Sequence, residues 1–179
     1  TNEPYAVAKI AGITMCRAYN RQHGTRFVSV MPTNLYGPED NFDLENSHVL
    51  AALVRKFCDA RATGEKTVTV WGTGRPRREF LHVDDMADAC LFIMNRYEGQ
   101  EILNIGTGRD LTIRDLAFLI KDAAGFEGEV RFDSSKPDGT PQKLLDVSRL
   151  TSLGWRSHTP LREGIEQACR WYLANVRQG

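Results

Sequence analysis

Apolar positions along the chain alternate between two rhythms. Stretches with the three-to-four-residue spacing of a helix are separated by short runs rich in Val, Ile and Phe. The first stretch predicts a helix that Asn2 can cap, with Pro4 in its opening turn, running to about Gln22 and stopping at His23 and Gly24. RFVSVM (26–31) predicts a buried strand. PTNLYGPEDNFDLENS (32–47) reads as a long loop, and long ordered loops are often functional. Asn46 or Ser47 then caps a helix, HVLAALVRKFCDARA. TVTVWG (67–72) is a strand, GTGRPRR (72–78) a basic loop, and EFLHV another short strand. DDMADACLFIMNRYE is an amphipathic helix whose opening acids suit its positive end. EILNIG (101–106) is a strand, and a helix runs from about Thr112 to Ala124. GEVRFD (128–133) is a strand, SSKPDGTPQK (134–143) a polar loop, and PLREGIEQACRWYLANVR a closing amphipathic helix. Helix and strand alternating in this way predict an α/β fold.

Composition narrows the picture. The 179 residues suffice for one domain with a sizeable core, or for a small domain plus part of another. Lys+Arg and Asp+Glu both number 23, which speaks against a general attraction to nucleic acid or membrane but leaves room for a local basic pocket. No apolar run approaches the roughly 20 residues that span a bilayer. The cysteines, Cys16, Cys58, Cys90 and Cys169, form no C-x-x-C pair and all fall in stretches read as helix. They read as free thiols of a reducing compartment, so the expected location is cytoplasmic.

Candidate chemistry begins with Tyr5 and Lys9. At about 100° per residue they lie about 40° apart on one helix face. An ammonium beside a phenol favours the phenolate, and such a phenol can exchange a proton with a carbonyl or alcohol. Tyr-x-x-x-Lys is also common by chance, so the spacing leaves both readings open. Gly12 and Cys16 share this face, while Val7, Ile10, Ala11 and Ala18 form a second apolar stripe. A helix apolar on two sides is expected to be buried on two sides, against a sheet and against a partner subunit.

GTGRPR (72–77) and GTGRDL (106–111) both begin like a dinucleotide fingerprint, but Arg77 and Leu111 stand where its last glycine belongs. Both read as turns. Arg75, Arg77, Arg78, Lys136 and Lys143 sit on loops, where they suit either diphosphate recognition or plain solvation. Trp71 suits stacking on a base or packing in a core. Among the histidines, His48 opens a helix directly after the long loop, where its ring can meet a ligand. No two histidines have metal-ligand spacing on one helix, and no metal site is expected.

Taken in order, PYAVAKIAG, PTNLYGPEDNF, NSHVLAAL, VWGTGRPRREFLHVDDMADA, LNIGTG and TPQKLLDVSRLTSLGW resemble the extended short-chain dehydrogenase/reductases that act on nucleotide sugars. Within that family they are most similar to the branch that epimerises GDP-4-keto-6-deoxy-D-mannose at C3 and C5 and reduces it at C4. The resemblance implies the C-terminal part of a Rossmann-type NAD(P)-binding fold plus a smaller α/β substrate-binding domain. Residues 1–37 and 79–106 would belong to the cofactor domain, and 38–78 and 107–179 to the domain that holds the GDP-sugar. It implies NADP(H) as cofactor and a homodimer, with no nucleic-acid or membrane partner. Tyr5 would protonate the C4 oxygen, with Lys9 holding the nicotinamide ribose. Pro32, Thr33, Asn34 and Leu35 would line the nicotinamide end, and His48 would be the acid of epimerisation beside the cofactor. Lys56, Trp71, Arg78, Asp138 and Lys143 would contact the GDP-sugar, although helical spacing alone aligns Arg55 rather than Lys56 with His48. The family's Gly-rich loop, Ser/Thr and catalytic Cys all precede the Tyr motif. The chain therefore reads as part of a longer protein, with little or no turnover expected from these residues alone. The same scaffold would also serve an NAD-dependent 4-epimerase or dehydratase, or a non-catalytic nucleotide-sugar-binding or dimerisation piece.

Overall fold

The computed structural model describes residues 3–44 and 46–177. Asn2, expected to cap the first helix, lies outside them. Helix α1 (Glu3–His23) leads to strands β1 (Val30–Pro32) and β2 (Asn34–Tyr36), then α2 (Val49–Thr63), β3 (Thr67–Trp71), β4 (Arg77–His82) and α3 (Val83–Arg96). Strands β5 (Leu103–Ile105) and β6 (Asp110–Thr112), helix α4 (Ile113–Ala124) and strands β7 (Glu129–Asp133) and β8 (Gln142–Lys143) follow. The short α5 (Ser148–Ser152) and α6 (Leu161–Asn175) complete the order.

The strands form three small sheets. β1 pairs with β5 in parallel, and β3 with β7 in parallel. β2 runs parallel to β4, which also carries antiparallel β6 and parallel β8. The α/β prediction holds, and the structure corrects its details. The strand expected at 26–31 begins only at Val30. The buried Asn20 side chain accepts from Phe27 N at 2.9 Å and donates to Phe27 O at 2.8 Å, taking that residue's backbone away from any ladder. The segment read as a loop over 32–47 contains β2, whose partner β4 lies more than forty residues on. The helix expected from Asn46 or Ser47 is capped instead by His48, in extended conformation and with no side-chain cap bond. Asn46 is turned back to Asp43. Arg77 and Arg78, read as loop, open β4.

Two cores result. One gathers α2, α4 and α6 over β3, with Phe57, Leu116, Ile120 and Ile165 fully enclosed. Gly164 permits its tightest contact, since a side chain there would collide with the Tyr36 ring. The other joins Leu81, Ile93, Leu103, Ile105, Leu150 and Trp155. All four cysteines are free, each on a helix, with Cys58 and Cys169 buried. Helix α1 departs from the expected two-sided burial. Asn20 is its one buried residue, Cys16 is half-buried, and Val7, Ile10 and Met15 are exposed, because no element among the described residues covers either stripe over its length. No helix of the described residues is long and apolar enough to cross a membrane.

Candidate active site

The ends of β1 and β2 and the loop after them form one wall of a cavity of about 450 Å³. Tyr5 from α1 and His48 from the start of α2 line it together with Pro32, Thr33, Asn34 and Leu35. Lys9 stands beside this group, its ammonium 5.4 Å from the centre of the Tyr5 ring. These residues come from four separate elements, so tertiary structure alone brings them together. His48 serves as backbone cap of α2 while its ring takes no part in capping, which leaves the imidazole for the cavity.

Two acids that the sequence did not single out, Glu39 and Asp40, line the cavity as well. Glu39 is the one non-glycine with positive φ (65°) among the described residues, a costly conformation that turns the loop at the cavity's edge. Burial pushes the Asp40 carboxyl above its ordinary range, opposed by the Asn41 N–H and by the charge of nearby His48. Their sequence signals were the length of the loop and their place in PTNLYGPEDNF.

A second group forms on β3, β4 and the 133–143 segment. Trp71 is 61% exposed, which excludes the core reading. Two ammonium groups flank its ring, Lys56 at 5.2 Å and Lys136 at 5.6 Å from the centroid. Lys56 also donates to Thr69 O at 3.1 Å, and burial lowers its pKa. Arg55, which helical spacing favoured, reaches the other way, donating to Phe42 O and pairing with Asp59. Arg78 and Lys143 are register neighbours on β4 and β8. Asp138 accepts from Thr73 N at 2.8 Å and from its hydroxyl at 2.7 Å, bonds that hold its pKa down and clasp the 133–143 segment to the glycine turn. Gly72 and Gly74 have φ of 82° and 77°, so GTG here is a left-handed turn.

Glu79 connects the two groups, and the sequence reading overlooked it. Its backbone carbonyl accepts from Asn34 Nδ2 at 2.7 Å and Thr33 Oγ1 at 3.2 Å, fixing two residues of the first cavity. Its neighbour on β4 is Arg78. Its side chain is fully buried and accepts from the backbone N–H groups of Thr107 (2.6 Å), Gly108 (2.7 Å) and Leu145 (3.0 Å). The carboxylate fills the space that a side chain on Gly106 would need. A buried charge requires partners of this kind, but Glu79 follows two arginines at the head of a short apolar run, so local sequence offered little sign that it is buried.

Parallel strand pairs between covering helices, with polar groups converging where the strands end, are the layout of a Rossmann-type α/β protein. The model of the NAD dependent epimerase/dehydratase family matches residues 1–106, and the chain belongs to that family. It is 60% identical to GDP-L-fucose synthase 1 of Arabidopsis thaliana over 98% of this chain and 54% of that protein. It is 53% identical to the GDP-L-fucose synthase of Escherichia coli (strain K12) over 98% of this chain and 57% of that protein. The crystal structure of a GDP-L-fucose synthetase from Naegleria fowleri bound to NADP superposes with a TM-score of 0.93 at 34% identity, covering 100% of this chain and 58% of that one. The chain spans about half the length of the curated relatives it matches.

Proposed function

We propose that this chain is the C-terminal portion of a cytoplasmic, NADPH-dependent enzyme that epimerises GDP-4-keto-6-deoxy-D-mannose at C3 and C5 and then reduces it at C4. The observation that carries the reading is the convergence of Tyr5, His48 and the Pro32–Leu35 backbone on one cavity, with Lys9 against Tyr5. The similarity to named GDP-L-fucose synthases supports the choice of sugar.

The residues present fit the nicotinamide end of the cofactor: a phenol, an ammonium, and the polar backbone and side chains of Thr33 and Asn34 line or adjoin the cavity. When bound, NADPH supplies hydride to C4. Tyr5 gives its phenolic proton to the C4 oxygen, so that the alcohol forms without a free alkoxide. Lys9 orients the ribose and stabilises the phenolate left behind. Before reduction, the C4 ketone acidifies the C3 and C5 protons; a base of the longer protein takes each proton, and His48 returns one to the opposite face. Trp71 stacks on the guanine or ribose, while Lys56, Arg78 and Lys143 meet the diphosphate. Asp138 holds the glycine turn in place for that contact.

We assign 1–37 and 79–106 to a cofactor part and 38–78 and 107–179 to a substrate part; most residues of each core follow this division, while Tyr36 and Phe80 pack into the substrate-side core and Leu150 and Trp155 into the cofactor-side one. The exposed stripe of Val7 and Ile10 on α1, with Leu91 and Met94 exposed on α3, suits a homodimer built on helices. Incubating the longer protein that contains this chain with GDP-4-keto-6-deoxy-D-mannose and NADPH tests the reading. NADPH consumption with a 6-deoxy-L-hexose product by NMR is the expected result. Interconversion of a UDP- or dTDP-sugar at C4 without net NADPH use would replace it with a 4-epimerase. Binding of GDP-sugar with no product would reduce the chain's role to recognition.

A further inference from the structure

A second cavity, of about 500 Å³, opens between the β5–β6 turn, α5 and the segment entering α6. It shares no lining residue with the Tyr5 cavity. Phe80, Leu111, Leu150 and Leu161 give it an apolar wall. Arg109 and Arg156 line it as well, and neither has a carboxylate partner among the described residues.

The acids close by are committed elsewhere. Asp110 is held by Arg77 at 2.8 Å and by Gln142. Asp85 accepts from Thr159, and Asp88 from the Trp155 indole at 2.7 Å. Buried Glu79 is satisfied by backbone N–H groups, and those bonds fix the turn that carries Arg109. Arg109 N is tied further to the Thr107 hydroxyl at 3.2 Å. On the opposite side the Trp155–Asp88 bond fixes the residue next to Arg156. Two unpaired guanidinium groups on anchored segments, beside an apolar wall, form a preorganised receptor for an anion with a carbon skeleton.

We propose that this cavity binds a small organic phosphate, with the phosphate on Arg109 and Arg156 and the carbon skeleton against Phe80 and Leu150. The site stands on its own geometry and does not depend on the reaction assigned to Tyr5.

Trp155 lines the cavity, so its indole N–H signal in two-dimensional NMR, assigned with Trp155→Phe, reports binding there. Trp71, flanked by Lys56 and Lys136, reports on the other cationic surface of the same sample. Titration with glucose 6-phosphate should move the Trp155 signal saturably, with inorganic phosphate about tenfold weaker for want of the apolar contact. Arg109→Ala and Arg156→Ala should each weaken binding about tenfold. Both arginines are exposed, and unchanged Trp71 and Trp171 signals would show that the variants remain folded. A Trp155 signal that does not move, that moves without saturating, or that titrates in both variants as it does in the parent would overturn the site. Benzoate binding as tightly as the sugar phosphate would overturn the phosphate assignment.

Discussion

Lys9 lies one helical turn beyond Tyr5, with its ammonium over the Tyr5 ring at 5.4 Å from the centroid. An ammonium in that position can stabilise the phenolate left after proton transfer and still reach toward a ligand in the cavity. In the longer protein, Tyr5→Phe should therefore lower kcat for C4 reduction by about a hundred- to ten-thousand-fold with little change in KM, because proton transfer matters only in the transition state. Loss of NADPH absorbance with the keto sugar checks it. A Phe variant with undiminished kcat would remove Tyr5 from the chemistry.

His48 lines the same cavity and leaves its ring out of the cap of α2. His48→Asn keeps a residue suited to capping and removes the proposed proton donor. It should slow exchange of solvent deuterium into C3 and C5 by about a hundredfold or more, while an already epimerised keto sugar is still reduced. A parallel loss of both steps would make His48 a binding residue rather than an acid.

Trp71 is exposed between two ammonium groups, which gives a flat apolar surface in a positive surrounding. Stacking on a base is worth about 1–3 kcal/mol. Trp71→Ala should raise KM for the GDP-sugar by about tenfold or more and leave kcat within about twofold. Fluorescence titration with GDP should lose its Trp71 component.

Local pattern revealed the long helices and the longer strands, because α2, α4 and α6 each bury a helical stripe and β3 alternates sides, but it passed over the five-residue α5. The elements it missed depend on distant partners. β2 hides between Pro32 and Gly37–Pro38 and exists because β4 runs beside it. β6 and β8 have three and two residues and are strands only through their bonds to β4. The start of the RFVSVM strand was lost to a side chain, Asn20, that no strand propensity registers. Of the site, the residue types and their order were legible, and family resemblance supplied their roles. The convergence of Tyr5 and His48, the turned loop at Glu39 and Asp40, and the clamp at Glu79 needed coordinates.

That clamp yields a stability prediction. Glu79→Ala would leave three backbone N–H groups and the space beside Gly106 without their partner. Each unsatisfied buried donor costs about 1–3 kcal/mol. A loss of about 3 kcal/mol or more in urea unfolding is expected. Glu79→Gln, which retains an acceptor oxygen, should lose less. Equal stability of the Ala variant and the parent would mean that water replaces the carboxylate at no cost.

Alkaline pH supplies a test of the larger core. The Tyr172 hydroxyl donates to Asp59 Oδ1 at 2.9 Å, and burial together with that bond pushes its pKa up to about 12, against the nearby charge of Arg55. The unfolded chain releases the same proton near the ordinary value of about 10. Between these values the native state binds more protons than the unfolded state, so stability falls as pH rises through the window. Tyr36, on the same core and also raised by burial, acts in the same direction. Urea unfolding of the parent from pH 9 to 12 should therefore show falling stability. Tyr172→Phe should start lower at neutral pH, having lost the bond to Asp59, and decline less steeply. Parallel slopes for the two proteins would mean that Tyr172 ionises alike in the native and unfolded states.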